Sequence, residues 1–370
     1  MIGVKKAILN DWKIKSSNKE WTFHQLSPYI GKIKSSVASS LLRHFTQKGD
    51  VIYDPFCGAG TIPFEAWAND RVVIANDLNI YAYILTNAKL HPPVSIEEVF
   101  YKIKKYNKLV EATKQKIDLR KVPTWVRTFF HSNTLRETIA WCNILKKNEE
   151  FFLLACLMGI LHHQRPGFLS YPSSHAVPYL RVKKFPKSNF PHLYEYRNVV
   201  DRLEKKVIRA FKRHPELNYK ISRTCFNKDA VSLIPGGFID AIITSPPYMR
   251  QLDYARDNRL RLWFLGVFEY ENLDKVISPN EKDFINSIKK SLITWNKILR
   301  QGGRCILILG DSQSKQYNMR LPELIEKIAI DELQCFKLEL KFQSIIPEKR
   351  RIRKNYRGSE RETVLVLKKK

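Results

Sequence analysis

The sequence predicts an α/β protein with a Rossmann-like, doubly wound sheet, and three segments support this prediction. The apolar run 51–54 leads into a turn with glycines at alternate positions, Gly58 and Gly60, and then into a helical stretch. Such a pattern is typical of the first strand, turn and helix of this kind of sheet, where a ligand approaches bare backbone at a helix N-terminus. Two further apolar runs, 72–76 and 238–243, predict strands that end at an acid and at two prolines.

The first turn, 54–61, is a candidate nucleotide-type pocket, although a lone Gly-x-Gly is also used by dinucleotide folds. Asp77 ends the second strand, and a carboxylate there can accept hydrogen bonds from both ribose hydroxyls of an adenosine. A solvated acid at a strand end is the simpler interpretation of Asp77 alone, but its position relative to the glycine turn favours the ribose contact. The candidate cofactor contacts in these segments are Asp54, Pro55, Phe56, Gly58, Gly60, Thr61, Asp77 and Leu78.

The third strand ends in Thr244-Ser245-Pro246-Pro247-Tyr248, which predicts a rigid loop. Proline fixes φ and has no N–H with which to continue a strand ladder. The carbonyls of Ser245 and Pro246 and the Ser245 hydroxyl are then available as acceptors for an amino group, while Tyr248 offers a flat face to a planar ring. This arrangement suits the exocyclic amine of a base, and the simpler alternative is a proline-ended strand entering a loop.

The Ser-Pro-Pro-Tyr string resembles the catalytic motif of amino-methylating DNA methyltransferases, and Asp-Pro-Phe-x-Gly-x-Gly-Thr resembles the S-adenosylmethionine motif of the same enzymes. Serine in the first position resembles the cytosine-N4 group more than the adenine-N6 group, which usually carries Asp or Asn. The resemblance spans 27–88 and 225–368, in a motif order similar to the arrangement called alpha. It implies a class I methyltransferase fold with a mixed seven-stranded sheet, S-adenosylmethionine as the cofactor and no metal.

The resemblance also implies three further cofactor contacts. Tyr29 and Lys32 lie in a segment that, in related enzymes, closes over the methionine end of the cofactor; the family often has Phe-Pro where this chain has Ile33 and Lys34. Asp229 matches an acid placed near the adenine amine, and it could equally cap a short helix at the next residue.

The chain is expected to divide into a cofactor-binding part, 1–91, an inserted largely helical region, 92–224, and a catalytic part, 225–370. More than 180 residues separate the glycine turn from the two prolines, which indicates an insertion. Within it, helices are expected at 95–117, at 136–161 and at 193–213. In the catalytic part the expected elements are a helix at 283–299, a strand at 304–309, a helix at 322–330 and a closing antiparallel hairpin of strands at 337–345 and 363–367.

The irregular stretch 164–191 is the candidate reader of a nucleic-acid groove. Its cationic and aromatic side chains lie between prolines, so the charged side chains could bind phosphates while a few others contact base edges. The alternative is a loop that braces the insertion with an ordinary solvated face. The candidate residues, with two arginines that follow the catalytic loop, are Arg165, Tyr171, His175, Tyr179, Arg181, Lys183, Lys184, Arg256 and Arg259. Arg261 is a third arginine there, and helix pairing with Asp253 or Asp257 is an equal alternative for these.

Composition favours a nucleic-acid partner. The 64 Lys and Arg residues exceed the 36 Asp and Glu residues and give a net charge of +28, which suits a polyanion. The longest apolar run, 151–161, is shorter than the ~20 residues of a membrane-spanning helix, and the N-terminus has no apolar signal core. We therefore expect a cytoplasmic protein. The six scattered cysteines suggest neither a zinc site nor a disulfide framework.

The function expected from these features is transfer of a methyl group from S-adenosylmethionine to the N4 amine of a flipped cytosine in double-stranded DNA. The family would imply a role in restriction-modification, with a cognate restriction endonuclease acting on the same site. One alternative is adenine-N6 methylation of DNA, or methylation of an exocyclic amine in RNA. An alternative of another class is a non-catalytic basic nucleic-acid-binding protein that retains the fold.

Overall fold

The chain is built from short strands and many helices, as the predicted α/β class requires. The computed structural model describes residues 2–13, 20–175, 177–247, 253–277, 280–346 and 360–370. Its strands are β1 (Val51–Asp54), β2 (Val72–Asn76), β3 (Arg223–Phe226), β4 (Ile239–Thr244), β5 (Leu299–Gly310), β6 (Gln313–Ser314), β7 (Met319–Arg320), β8 (Phe336–Ile345) and β9 (Arg361–Lys369).

The α-helices lie before and between these strands. They are α1 (Ile2–Lys13), α2 (Ser35–Phe45), α3 (Thr61–Ala68), α4 (Ile80–Leu90), α5 (Ile96–Thr113), α6 (Thr124–Arg127), α7 (Ser132–Lys147), α8 (Phe151–Ile160), α9 (Val199–Ala210), α10 (Tyr254–Asp257), α11 (Arg259–Leu265), α12 (Tyr270–Ile277), α13 (Glu281–Ile298) and α14 (Leu321–Lys327). None of the helices in the described ranges combines the length and the apolar character needed to cross a membrane.

Seven strands form one mixed sheet in the order β3-β2-β1-β4-β5-β9-β8. The first five are parallel, β9 runs antiparallel to β5, and β8 runs antiparallel to β9. Counted within the sheet alone, this is the order 3-2-1-4-5-7-6 of class I methyltransferases. The predicted fold class is therefore confirmed, closing hairpin included. The strand order reverses between β1 and β4, and ligands of such sheets bind at that point, outside the carboxyl ends of the strands.

Alternate residues of the strands contribute their side chains to two hydrophobic cores, one on each face of the sheet. Ile52 and Ile306 pack on the face covered by α2, α3, α4 and the inserted helices. Their neighbours Tyr53 and Leu307 pack on the opposite face, against α13 and α14. This period of two is that of strands buried on both sides, and it fixes the register that brings the carboxyl ends of β1, β2 and β4 together.

The inserted region joins the first of these cores. Helix α8 is apolar all round and packs between α4 and α9, which explains the longest apolar run of the chain as a buried helix. The helix predicted at 136–161 is two helices, α7 and α8, broken at residues 148–150, where Glu149 has φ +51°. The helix predicted at 193–213 begins only at Val199, after a separate short turn that starts at Pro191.

The helices and strands predicted for the catalytic part are present. The predicted helix at 283–299 corresponds to α13, and the Asn280 side chain caps it by accepting from the Asp283 N–H. The strands predicted at 304–309 and 363–367 lie within the longer strands β5 and β9. The helix predicted at 322–330 is α14, which continues as a π-helical segment over Ile328–Glu332. No helix is assigned to residues 227–238, so β3 passes to β4 through a short connection that borders the site.

Candidate active site

A cavity lies at the carboxyl ends of β1, β2 and β4, where the strand order reverses. It is lined by residues of both motif blocks, so the glycine turn and the catalytic loop face the same space. Of the predicted site residues, those that line it are Tyr29, Lys32, Asp54, Phe56, Gly58, Thr61, Asp77, Leu78, Asp229, Ser245 and Pro247.

Three of the predicted cofactor-site and catalytic residues that the structure describes, Pro55, Gly60 and Pro246, are not among those lining the cavity. Gly60 has φ +68°, and a Cβ there would lie 2.9 Å from the Cα of Thr86. A glycine is needed here because the turn approaches α4 closely, and the cofactor contact of Gly60 stays a prediction. Pro55 contributes its carbonyl to the Asn76 side chain, and Pro246 is buried. Tyr248 lies outside the described residues.

Asp77 braces the glycine turn. Its Oδ2 accepts from the Gly58 N–H at 2.8 Å, and its Oδ1 accepts from the Asn79 N–H at 2.9 Å. Burial raises the pKa of this carboxyl to about 6, and the two N–H bonds oppose the rise. A carboxylate oxygen has more than one lone pair, so Asp77 can hold the turn and still accept from hydroxyls of a ligand in the cavity.

Asp54 joins the glycine turn to the catalytic loop. Its Oδ1 accepts from the hydroxyl of Thr244, which directly precedes Ser245, at 2.6 Å, and from the Phe56 N–H at 3.3 Å. Asp54 is 2% exposed. Burial raises its pKa to about 8, with a smaller contribution from the nearby Asp77 charge, against the lowering effect of the two hydrogen bonds. The carboxyl is thus mainly protonated at neutral pH.

Asp54→Asn should change how the stability of the unliganded protein depends on pH. A carboxyl whose pKa is raised by folding stabilises the fold fully below its unfolded pKa, and this contribution is lost as pH rises through about 8. Asparagine cannot ionise, so the melting temperature of the variant minus that of the parent should rise between about pH 5 and about pH 9, by at least about 2 °C. Differential scanning calorimetry measures this. Asp331→Asn, at an exposed acid, is the control, and a difference that stays flat with pH would contradict the assignment.

Ser245 has its hydroxyl proton engaged within the protein. Its Oγ donates to the carbonyl oxygen of Ile308 on β5 at 3.1 Å. A hydroxyl has one donor and two lone pairs, so towards the cavity Ser245 Oγ is an acceptor. This is the polarity that an amine N–H requires. Pro247 lines the cavity beside it.

The three further cofactor contacts implied by the resemblance, Tyr29, Lys32 and Asp229, all line the cavity. They differ in how other groups of the protein hold them. The Tyr29 ring lies against the glycine turn, because a Cβ on Gly58 would come within 3.3 Å of it. Lys32 Nζ donates to the His24 carbonyl at 2.7 Å. Asp229 is exposed, and its Oδ1 accepts from the Val231 N–H at 2.9 Å. Asp229 thus borders the cavity and forms a local turn, but no helix follows at Ala230 for it to cap; its contact with an adenine amine stays a prediction.

Sequence reasoning missed the wall of the cavity that follows the catalytic loop. The residues of this wall are Tyr254, Val276, Ile277, Phe284, Ser287 and Ile288. They come from α10, α12 and α13, which carry no motif. The spacing of Phe284 and Ile288 does predict an apolar helix face, but that signal does not distinguish a face towards the core from one towards a ligand.

The candidate groove-reading residues are mostly at the surface. Arg165, His175 and Tyr179 are exposed, as are Lys183 and Lys184. They lie in the stretch 164–191, whose described residues before Pro191 form turns, bends and one isolated bridge between Ser173 and Leu180. They are accessible to a partner.

The other two candidates in this stretch are partly buried. The Arg181 guanidinium donates to the side-chain carbonyl of Gln164 at 2.7 Å, and the Tyr171 ring packs on Tyr194 at 5.0 Å. Part of their role is therefore to shape the loop.

Two arginines of α11 contact the inserted region. Arg259 donates to the carbonyl of Pro178 at 2.6 Å, and the fully buried Arg261 donates to that of Met158 at 3.2 Å. Arg259 is only partly buried, so its phosphate contact stays a prediction; the burial of Arg261 leaves its guanidinium inaccessible to a phosphate. Arg256 remains exposed, and it pairs with Asp253 at 3.3 Å.

A family model matches the part of the chain that builds the cofactor side of the cavity. It is described as D12 class N6 adenine-specific DNA methyltransferase and matches residues 29–145, less than half of the 370 residues. No curated protein sequence matches the chain significantly. With the sheet order and the cavity, the family match identifies an S-adenosylmethionine-dependent methyltransferase.

Solved structures with some similarity are methyltransferases with low identity to this chain. A methyltransferase from Pyrococcus furiosus is 10% identical, with 100% of this chain and 98% of that chain covered and a TM-score of 0.37. The rRNA methyltransferase AviRa from Streptomyces viridochromogenes is 12% identical, with 96% and 93% covered and a TM-score of 0.35. TrmN from Thermus thermophilus is 12% identical with a TM-score of 0.36; 94% of this chain is covered, and the chain spans only 52% of TrmN. Similarity at this level carries no argument about the substrate.

Proposed function

We propose that this S-adenosylmethionine-dependent methyltransferase transfers the methyl group to an exocyclic amine of a base in double-stranded DNA. The observation that carries the proposal is the shared cavity: the glycine turn at Gly58 and the loop at Ser245 and Pro247 line the same space. A direct transfer needs the donor and the acceptor side by side in one site.

The residues of the cavity fit the cofactor. Asp77 offers carboxylate oxygens to ribose hydroxyls, the turn at Gly58 exposes backbone, and Phe56 and Leu78 provide apolar surface for a purine. The bound cofactor supplies an electrophilic methyl group on a sulfonium. The chain therefore has to position two reactants rather than to activate the donor.

Ser245 and the two prolines would orient the amine. The lone pair of such an amine is delocalised into the ring, and acceptors at Ser245 Oγ and at the loop carbonyls would draw the nitrogen towards tetrahedral geometry and help to accept its proton. Positioning for direct displacement then provides most of the rate enhancement, without a covalent enzyme intermediate. A base stacked in a duplex cannot enter the cavity, so it has to be flipped out. Tyr248 remains the hypothesised platform for it.

Two amines are candidates, and each has one observation in its favour. The family description names adenine N6. Serine at position 245 favours cytosine N4, as the sequence predicts. The matched region ends at residue 145, a hundred residues before Ser245. The match therefore covers the cofactor side of the cavity but not the catalytic loop, and it gives cytosine N4 no support. Because the family description names adenine N6, that amine is the first candidate and cytosine N4 is the second.

The stretch 164–191 is the proposed DNA-reading element. Its exposed cations, such as Arg165, Lys183 and Lys184, suit the phosphate backbone, and the net charge of +28 favours a polyanion. The three-part division of the chain, the role in restriction-modification and a cognate restriction endonuclease belong to the same proposal.

Methylation of a randomised DNA pool tests the function. The purified chain is incubated with S-adenosylmethionine and duplex DNA, with a structured RNA pool in parallel, and the nucleosides are identified by mass spectrometry. We expect N6-methyladenine or N4-methylcytosine in the DNA, and much less methylated product with Asp77→Ala when the S-adenosylmethionine concentration is near the Kd of the parent. Methylation confined to RNA would move the proposal to the RNA alternative. DNA binding without any methylated nucleoside would favour the non-catalytic alternative.

A further inference from the structure

Two tyrosine rings form one wall of the cofactor cavity. Tyr29 comes from the segment before α2 and lies against the glycine turn, with its ring 3.3 Å from a Cβ placed on Gly58. Tyr254 comes from the start of α10, and its ring centroid is 6.4 Å from that of Tyr29, with planes inclined by 30°. Both line the cavity that Ser245 also lines. An aromatic wall therefore borders the space in which donor and acceptor would meet.

Two carboxylates line this space, Asp77, which is half-buried, and Asp229, which is exposed. Asp54 also lines it, but its raised pKa of about 8 leaves it mainly protonated at neutral pH. Lys32 also lines the cavity, but its Nζ donates to the His24 carbonyl and lies 3.4 Å from Glu20 Oε1. Its charge is therefore balanced by groups of the protein. Acids and ring faces together make a favourable environment for a cation.

The methyl donor and its product differ in charge at one atom. The sulfonium of S-adenosylmethionine is positive, and the thioether of S-adenosylhomocysteine is neutral once the methyl group has left with its bond to sulfur broken. A ring face attracts a cation through the negative face of its quadrupole, and this attraction is larger where water is excluded. A neutral sulfur makes only ordinary contacts with the same ring.

We propose that Tyr254, acting with Tyr29, is a specificity residue that favours the charged methyl donor over the neutral demethylated product. The proposal rests on the proposed function, because it requires the cavity to bind the donor. It gives the aromatic wall a role in turnover: the product loses an attraction that the donor had, so it leaves more readily. The hydroxyl of Tyr254 is not needed for this effect, whereas the ring is.

Calorimetric titration of the full chain with both ligands tests this inference. The parent, Tyr254→Phe and Tyr254→Leu are each titrated with S-adenosylmethionine and with S-adenosylhomocysteine. We expect the phenylalanine variant to keep the ratio of the two dissociation constants. In the leucine variant, the preference for the donor over the product, measured as the ratio of the two dissociation constants, should fall roughly five-fold. This is the effect expected from the loss of one exposed to partly buried cation–π contact. Affinity for the product should change less.

Controls separate a lost cation contact from lost packing. Tyr101→Leu removes a tyrosine ring that is 70% exposed on α5, and it should leave both affinities unchanged. If Tyr254→Leu melts below the titration temperature, Tyr254→Met tests the same loss of the ring. If these variants bind both ligands more weakly by the same factor, Tyr254 is a packing residue. That result would overturn the inference and leave the proposed function intact. A parent chain that binds neither ligand would instead overturn the proposed function.

Discussion

Asp77→Ala is expected to weaken S-adenosylmethionine binding roughly 100-fold. The carboxylate holds the Gly58 N–H at 2.8 Å and the Asn79 N–H at 2.9 Å, and in the proposed complex it also accepts from the ribose hydroxyls. Hydrogen bonds to a charged group contribute about 1.5–3 kcal/mol each, and every 1.4 kcal/mol is about a factor of ten in affinity. Loss of the ribose contacts together with the brace on the turn gives the expected size.

Titration calorimetry measures this effect, and two variants define its cause. Asp331→Ala removes an exposed acid that does not line the cavity and should bind as the parent does. Asp77→Asn keeps one acceptor oxygen and should fall between parent and alanine variant. Because burial raises the pKa of Asp77 to about 6, the affinity of the parent for S-adenosylmethionine should also decline as pH falls below that value. An alanine variant with the affinity of the parent would disprove the ribose contact.

The parts of the site that could be predicted from the sequence are those formed by the backbone or by residues that are close together in the chain. The glycine turn, Asp77 and the Ser245 loop each follow a buried strand directly, and the carboxyl ends of parallel strands meet at one edge of a sheet. Strand, turn and motif are then adjacent in the chain as well as in space. For this reason the two motif blocks were predictable neighbours, although about 180 residues separate them.

Roles that depend on distant packing could not be predicted in the same way. Arg259 and Arg261 follow the catalytic loop and are charged, so a phosphate contact was a reasonable hypothesis. Their partners are carbonyls of Pro178 and Met158 in the inserted region, and no local pattern indicates which carbonyl a guanidinium will reach. Arg261 is 1% exposed, and burial of such a group is acceptable only where hydrogen bonds replace water.

Gly60 shows the same limitation at the level of the backbone. Its place in the motif predicted contact with the cofactor. The close approach of Thr86 on α4 already explains why a glycine stands there, because any side chain would collide with that helix; the cofactor contact stays a prediction. A motif glycine thus marks a close approach, and only the packed structure tells whether the neighbour is a ligand or a helix.

Ser245→Ala is expected to reduce kcat by roughly 10- to 100-fold and to leave S-adenosylmethionine affinity within about two-fold of the parent. The hydroxyl donates to the Ile308 carbonyl at 3.1 Å, so its lone pairs are the part available to the amine. An acceptor that acts chiefly as the nitrogen changes geometry contributes to the transition state more than to binding, and loss of one such hydrogen bond lowers kcat by about this factor. Single-turnover methylation of DNA, with calorimetry for the cofactor, separates the two quantities.

Ser232→Ala is the matched control, because it removes an exposed serine hydroxyl from the connection between β3 and β4 that does not line the cavity. It should methylate at the rate of the parent. Unchanged kcat in Ser245→Ala would show that the loop carbonyls alone orient the amine, and the proposed role of the hydroxyl would then be wrong. Weakened cofactor binding with normal single-turnover chemistry would place Ser245 on the cofactor side instead.

Ser245 donates its proton to β5, so it serves the amine only as an acceptor. Ser245→Asn places another acceptor, an amide oxygen of different geometry, at this position. It should recover part of the rate lost in Ser245→Ala and change which exocyclic amine is methylated.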